Sequence, residues 1–121
     1  MNIRHYRGDN KTLELTVRDA IGEVDLTGMK IWFTVKKAVG DPDSMALIKK
    51  STANVPGGGD EQIKVTANGK AEIYIVPADT ANLILASYDW YYDVQVKTLE
   101  DKVYTVKQGT FRLLPEITYS G

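Results

Sequence analysis

Alternation of apolar and polar side chains recurs along this chain and limits the possible folds more than any other sequence feature. A period of two residues is typical of half-buried β-strands, because successive side chains of a strand point to opposite faces of a sheet. The two clearest early segments place six residues on their inward faces: Leu13, Leu15, Val17, Ile31, Phe33 and Val35. We therefore predict antiparallel sheets, each with one buried face.

Turn signals interrupt the alternation at short intervals. Residues 19–22 predict a tight turn, and Asn68-Gly69 is a strong hairpin signal. Other strands are predicted at 45–50, 63–65, 71–75, 88–97, 103–106 and 110–114. Strands separated by such frequent turns are typical of sandwiches and barrels.

Residues 77–85 break the strand pattern and fit one or two helical turns, with Asp79 or Thr80 as the expected N-terminal cap. One face of the strand that follows carries Tyr88, Trp90, Tyr92, Val94 and Val96. We expect an all-β fold, an immunoglobulin-like antiparallel β-sandwich of about seven or eight strands with one short helical turn near residues 78–85.

Length, charge and cysteine content limit the class of protein. The chain has 121 residues, which fits a single domain covering 1–121 that folds without disulfides. A net charge of −1 favours neither nucleic acid nor a membrane as partner, and no apolar run approaches the roughly 18 residues of a membrane span. The N-terminus lacks an apolar h-region, so we expect no signal peptide. The absence of cysteine favours synthesis inside a cell.

Two familiar recognition motifs lie side by side near the N-terminus. Arg7-Gly8-Asp9 is the tripeptide that integrins read, and residues 10–12 (NKT) fit the N-glycosylation pattern. Both motifs act only in an extracellular setting, which neither the N-terminus nor the cysteine count indicates. We interpret Gly8 and Asp9 instead as part of a polar bend that leads into the first long strand.

Residues that catalyse reactions or hold metals are scarce. His5 is the single histidine, and a chain without cysteine offers no zinc ligand set around it, so we interpret His5 as a solvated or edge-strand residue. Asp41 and Asp43 lack the later glycine and glutamate of a calcium loop, and 57–59 (GGG) lacks the lysine of a phosphate loop. We expect no enzyme activity, catalytic residue, metal, cofactor or small-molecule substrate.

Aromatic residues are the best candidates for an interaction surface. Trp32 and Tyr91 lie on the faces of their predicted strands that point away from the inward residues. Tryptophan and tyrosine are enriched at protein interfaces, and exposed rings also stack on sugars. We take Trp32 and Tyr91 as candidate interaction residues, with coverage of the sandwich edge as the alternative for Trp32.

Three blocks of sequence follow one another in a recognisable order. They are RGDNKTLELTVRDAIGEVDLTGMKIWFTVKK (7–37), PADTANLILASYDWYYDVQV (77–96) and VYTVKQGTFRLLPEIT (103–118). Together they resemble a small β-sandwich domain of bacteriophage structural proteins, and the N-terminal domain of phage baseplate upper proteins in particular. The resemblance covers most of the chain, although only the hairpin matches between 38 and 69. Baseplate upper proteins continue into a long fibrous or receptor-binding region, whereas this sequence stops at Gly121. We therefore expect a stand-alone particle subunit or one module of an assembly.

The resemblance implies structural roles for its motif residues and supplies no catalytic residue. These scaffold residues are Gly8, Asp9, Gly22, Leu26, Gly28, Asp79, Thr80, Tyr88 and Asp93. Gly22 and Gly28 serve tight backbone geometry, and Leu26 fills the core beneath the turn.

The resemblance implies a non-enzymatic structural or assembly protein of a bacteriophage or prophage virion, from the tail, baseplate or neck. Such a protein is made in the cytoplasm of the bacterial host, is expected to form homo-oligomers in the particle, and binds other virion proteins rather than nucleic acid, membrane or a small molecule. The alternative is a carbohydrate- or host-surface-binding module that uses Trp32, Tyr91 and the loops.

Overall fold

The computed structural model describes residues 2–18, 22, 24–26, 28–52, 62–67, 69–81, 83 and 89–115. Within these ranges the chain forms eight strands, one 3₁₀ turn and one short α-helix. The strands are β1 (Asn2–Tyr6), β2 (Lys11–Thr16), β3 (Lys30–Lys36), β4 (Ile48–Ser51), β5 (Ile63–Ala67), β6 (Lys70–Ile75), β7 (Trp90–Lys97) and β8 (Val103–Leu114). The 3₁₀ turn is Asp43–Met45, and the helix α1 is Pro77–Thr80.

The described strands form two sheets. One has five strands in the order β1-β8-β7-β3-β4, and the other has three in the order β2-β6-β5. Neighbouring strands are antiparallel except for β1 and β8, which run parallel. The orders β8-β7-β3-β4 and β2-β6-β5 match strands G-F-C-C′ and B-E-D of an immunoglobulin sandwich. The predicted immunoglobulin-like β-sandwich is confirmed.

The core lies between the two sheets and is filled by their inward-facing residues. Those contributed by strands β2 to β8 include Leu15, Ile31, Phe33, Val35, Ile63, Ile73, Ile75, Trp90, Tyr92, Val94, Val96 and Phe111. The rings of Trp90 and Phe111 stack with centroids 6.4 Å apart, and Phe33 meets Tyr92 at 5.7 Å. Leu26, in the connection between the sheets, is also fully buried.

Some predicted strand boundaries are wrong. The strands predicted at 103–106 and 110–114 form one strand, β8, because Gly109 continues the ladder opposite Tyr92. A register shift beside Val94 accommodates one extra residue of β8, which keeps the strand continuous. The strand predicted at 45–50 begins only at Ile48, since the 3₁₀ turn Asp43–Met45 precedes it.

The first strand was not predicted. In β1, Ile3 and His5 face inward, and the strand pairs in parallel with the end of β8. Parallel pairing brings together strands that are distant in sequence, and five residues carry too short a pattern to show it. The N-terminal segment is therefore an edge strand of the five-stranded sheet.

Candidate functional site

Alternation along β3 and β7 produces one broad surface, the outer face of the five-stranded sheet. The residues between the inward-facing positions point outward, and the strand registers align them in rows. The rows are Lys36-Tyr91-Thr110, Lys49-Thr34-Asp93-Gln108, Ser51-Trp32-Gln95-Thr105 and Lys30-Lys97-Val103. We call the surface formed by these four rows the front face.

The front face contains both candidate interaction residues. Trp32 is half-buried between its cross-strand neighbours Ser51 and Gln95. Tyr91 is 44% exposed and lies opposite Lys36. One row of the front face separates the two rings. The sequence pattern placed each ring outside the core, but only the register between β3 and β7 shows that they share one surface.

Two shallow depressions occupy the front face. The one beside Trp32 has a volume of about 690 Å³, and the one beside Tyr91 has a volume of about 400 Å³. Thr34, Lys36 and Asp93 line both depressions, and an aromatic ring borders each. We call the row Lys49-Thr34-Asp93-Gln108, which lies between the two rings, the middle row. Rings, hydroxyls and amides on a rigid sheet offer noncovalent contacts to another protein or to a sugar.

The front face is more basic than the chain as a whole. Its charged residues are Lys30, Lys36, Lys49, Lys97 and Asp93. Four lysines and one aspartate amount to a formal charge of +3, whereas the complete chain carries −1. The outer face of the three-stranded sheet, which we call the back face, has a neutral set: Glu14, Lys64, Lys70 and Glu72. Basic character is thus concentrated on one side of the sandwich.

The Arg7-Gly8-Asp9 segment is the turn between β1 and β2, and it packs against α1. The Gly8 N–H donates a hydrogen bond of 2.8 Å to the Thr80 hydroxyl, and Arg7 Nη1 donates one of 3.3 Å to the Leu83 carbonyl. Gly8 has φ +84°, and the Asp9 N–H donates back to the Tyr6 carbonyl. The polar bend predicted at Gly8 and Asp9 is confirmed, and its contacts join the first turn of the sandwich to the helical connection.

The cap predicted for the helical turn is wrong. The helix α1 begins at Pro77 with Val76 as its N-cap, so neither Asp79 nor Thr80 occupies that position. Proline is favoured in the first turn of a helix because its missing N–H has no partner there in any case. The Asp79 carboxylate accepts a 2.8 Å hydrogen bond from the Val76 N–H, which is the N3 half of a capping box. Thr80 is fully buried.

The remaining scaffold residues lie away from the depressions, apart from Asp93. Gly22 and Gly28 have positive φ values of 144° and 79°. At Gly28 a Cβ would come within 3.3 Å of Leu99, so both backbone conformation and space favour glycine there. Asp93 lies in the middle row of the front face, opposite Thr34. Tyr88 lies outside the described residues.

Lys50 is a buried charge that the sequence pattern did not reveal. It lies on the inward side of the edge strand β4, and its side chain is 6% exposed. Its Nζ is 2.7 Å from Oδ2 of Asp79, whose side chain is 18% exposed. The ion pair joins the edge of the five-stranded sheet to α1.

His5 is buried, which corrects the interpretation of it as solvated, although it does lie in an edge strand. It is 2% exposed, and its ring centroid is 6.1 Å from that of Phe111. Its Nε2 has no hydrogen-bond partner in the described part of the chain. Burial lowers the pKa of His5 below its usual 6.5, and the charge of Lys11 adds to this lowering. Asp9 and Asp79 act in the opposite direction.

Acidification is expected to destabilise the fold through His5. The unfolded chain binds a proton at His5 near pH 6.5, whereas the folded chain binds it only at lower pH. Between these two values the unfolded state holds more protons, so the free energy of unfolding falls as the pH is lowered. Above about pH 7, His5 no longer makes the free energy of unfolding depend on pH. We expect the fall to be smaller in His5→Phe, which keeps a ring beside Phe111.

Urea denaturation of both proteins at about pH 7.5, 6.5 and 5.5 measures this difference. His5 is the only histidine, so the difference between the two pH profiles isolates its contribution. If the stabilities of the wild type and of His5→Phe change with pH in parallel, the pH dependence does not come from His5.

Side chains that could bind a metal are dispersed over the described residues. No three His, Cys, Asp or Glu side chains among them lie close enough to hold a metal ion together. None of the helices in the described ranges has the length and apolar character needed to cross a membrane. The chemistry available on the front face is noncovalent contact through rings, hydroxyls, amides and lysine side chains.

Comparisons with known proteins give matches in structure only. No protein-family model and no curated protein matches the chain. A solved structure described as Tim-1 is 12% identical with a TM-score of 0.43, covering 99% of this chain and 97% of that one. Another, described by photo-crosslinking analyses of multimeric cell-adhesive interactions of VGSC beta subunits, is 15% identical with a TM-score of 0.44. It covers 98% of this chain and 93% of that one. These likenesses assign no function to the chain.

Proposed function

We propose that this chain is a non-enzymatic structural and assembly protein of a bacteriophage or prophage virion, which acts by self-association and by docking onto other virion proteins. The observation that carries the docking role is the front face, where Trp32 and Tyr91 share one rigid sheet surface. The virion setting, in the tail, baseplate or neck, rests on the sequence blocks that resemble phage β-sandwich domains. The protein would then be made in the host cytoplasm and act in the particle.

The composition of the front face supports docking to a protein. Interfaces are enriched in tryptophan and tyrosine, and the residues that contribute most binding energy cluster near the centre of the contact. Trp32 and Tyr91 flank the middle row of the face, and each borders a depression that an opposing side chain can fill. Because both rings lie on sheet strands rather than loops, little conformational entropy is lost on binding.

Cosedimentation tests the proposal. The purified chain is mixed with tail and baseplate particles of the phage whose genome encodes it, and its own association is followed by sedimentation velocity over a range of concentrations. We expect the wild-type chain to bind the particles. Thr34→Arg places a bulky charge in the middle row and should weaken binding at least about tenfold.

A matched variant controls for the added charge. Thr12→Arg makes the same change on the exposed side of β2, on the back face, and should bind as the wild type does. The proposal fails if the wild-type chain stays monomeric and binds no virion component. Equal binding by the two variants would remove the front face from the contact.

A carbohydrate-binding module is the second candidate, favoured by the half-buried Trp32 beside the larger depression. A flat ring next to the amide of Gln95 and the hydroxyl of Ser51 has the chemistry to hold a sugar. A glycan array tests this candidate. A hit that is lost in Trp32→Ala supports it, and an array without hits removes it.

A further inference from the structure

We propose that the front face docks onto a different protein surface whose rim is acidic, and that it does not pair with the same face of a second copy. This inference rests on the proposed docking function and adds the chemistry of the partner. The observation behind it is the arrangement of charges in the four rows of the front face, where lysines surround a single aspartate, Asp93.

The lysines lie around the periphery of the front face. Lys30 and Lys97 form the row at one end, where Lys97 also lies 3.6 Å from Asp101. Lys36 lies in the row at the other end, and Lys49 lies on the edge strand β4, in the same row as Asp93. Lys30 and Lys36 are six residues apart on the same side of β3, which corresponds to about 20 Å along the strand. The acid of the face, Asp93, lies between the two ends. A complementary surface therefore carries carboxylates around its rim and no negative charge at its centre.

Pairing of two identical front faces is disfavoured by this charge. A two-fold contact places the same patch on both subunits, so two surfaces of formal charge +3 would meet. Like charges across an interface disfavour the complex and slow its formation. Any contact between copies that includes the front face is therefore heterologous, with a different surface on the second copy.

Asp93 also argues against a uniform polyanion as the occupant. An anionic polysaccharide or a nucleic acid carries negative charge along its whole length and would place some of it over Asp93 in the middle row. A protein surface can place carboxylates near Lys30 and Lys49 and an uncharged donor over Asp93. The charge pattern thus favours an acidic protein surface, with Trp32 and Tyr91 making the apolar contacts.

Two synthetic peptides of identical composition serve as probes. In the rim peptide, glutamates lie at both ends, six positions apart, around an uncharged centre. In the centre peptide, the same glutamates lie together in the middle. Backbone amide shifts followed by NMR give the dissociation constant of each peptide and map the residues they contact. We expect shifts on β3, β4 and β7, and binding of the rim peptide at least about threefold tighter than that of the centre peptide.

A pair of charge-neutralised variants tests which lysines matter. Lys30→Gln/Lys49→Gln should weaken binding of the rim peptide at least about fivefold and reduce its salt dependence. Lys64→Gln/Lys70→Gln makes the same change in net charge at exposed positions of the back face and should stay within about twofold of the wild type. All four positions are exposed in strands, so the fold should tolerate each change.

Several outcomes would overturn the inference. Equal binding of the two peptides, equal losses in the two double variants, or shifts confined to the back face would each contradict it. Tighter binding of hyaluronate than of either peptide would identify a polyanion site instead.

The cosedimentation assay separates this inference from the function on which it rests. If Lys30→Gln/Lys49→Gln binds virion particles as well as the wild type does, docking stands and the acidic partner is wrong. If the wild-type chain binds no particle while the peptide preference holds, the surface chemistry stands and the virion role is wrong.

Discussion

Phe33→Ala is expected to lower the free energy of unfolding by about 3–5 kcal/mol, the largest effect of any single change considered for this chain. Phe33 is fully buried on β3, an interior strand of the five-stranded sheet, and its ring lies 5.7 Å from that of Tyr92. Truncation removes the ring from the core and leaves a cavity that the flanking strands β4 and β7 cannot close without breaking their ladders with β3. The loss is a large share of the stability of a domain of this size, and it corresponds to a fall in Tm of roughly 10–20 °C.

Tyr91→Ala is the matched control for Phe33→Ala. Tyr91 lies on the neighbouring strand β7 but points to the front face, and its truncation should cost less than about 1 kcal/mol. Urea denaturation monitored by far-UV circular dichroism measures both variants. A slip of β3 by one residue would exchange Phe33 for Trp32 as the inward side chain. A small effect of Phe33→Ala therefore contradicts the observed register.

The inward face of each central strand could be predicted because burial enforces a period of two. Ile31, Phe33 and Val35 were assigned to the core from their spacing alone, and all three are fully buried. The opposite positions, including Trp32 and Tyr91, follow from the same rule without any further information. Local alternation reports the two faces of a strand directly, since each strand must bury one of them.

Relations between distant segments could not be predicted in this way. The pairing of β1 with β8 joins the two ends of the described chain, and nothing in five residues of β1 specifies that partner. The sequence predicted separate strands at 103–106 and 110–114, whereas Gly109 pairs with Tyr92 of β7 and the ladder continues through it. Pairing with neighbouring strands, and not the local sequence, determines both the partner of β1 and the continuity of β8.

The candidate site, too, could be predicted only in part from the sequence. Its two rings were predictable individually, whereas its basic character was not, because the lysines of the front face come from β3, β4 and β7. Only the registers among these strands show that Lys30 and Lys97 are neighbours and that Asp93 lies between the two ends of the face. Net charge concealed this arrangement, since a chain of −1 overall gives no sign of a basic side.

Asp79→Asn is expected to cost about 3 kcal/mol of stability by leaving Lys50 without its partner. The Lys50 side chain is 6% exposed, so its ammonium cannot regain full hydration when the carboxylate 2.7 Å away is neutralised. Asparagine keeps a side-chain oxygen that can accept the Val76 N–H, so the change isolates the lost charge from the lost cap. Lys50→Met should lower the stability less than Asp79→Asn does. The carboxylate that it leaves behind, Asp79, is more exposed than Lys50 and still accepts the hydrogen bond from the Val76 N–H.

The double variant Lys50→Met/Asp79→Asn should recover most of the lost stability, since replacing a buried ion pair by uncharged residues is often nearly neutral. A double-mutant cycle by urea denaturation should then give a coupling energy of about 2–3 kcal/mol. The exposed pair Lys97 and Asp101, 3.6 Å apart, is the control, and its coupling should stay below about 0.5 kcal/mol. Added salt should diminish the control coupling and leave that of Lys50 and Asp79 largely intact, because burial limits screening. Equal coupling in the two pairs would contradict the conclusion that this ion pair is a buried joint between β4 and α1.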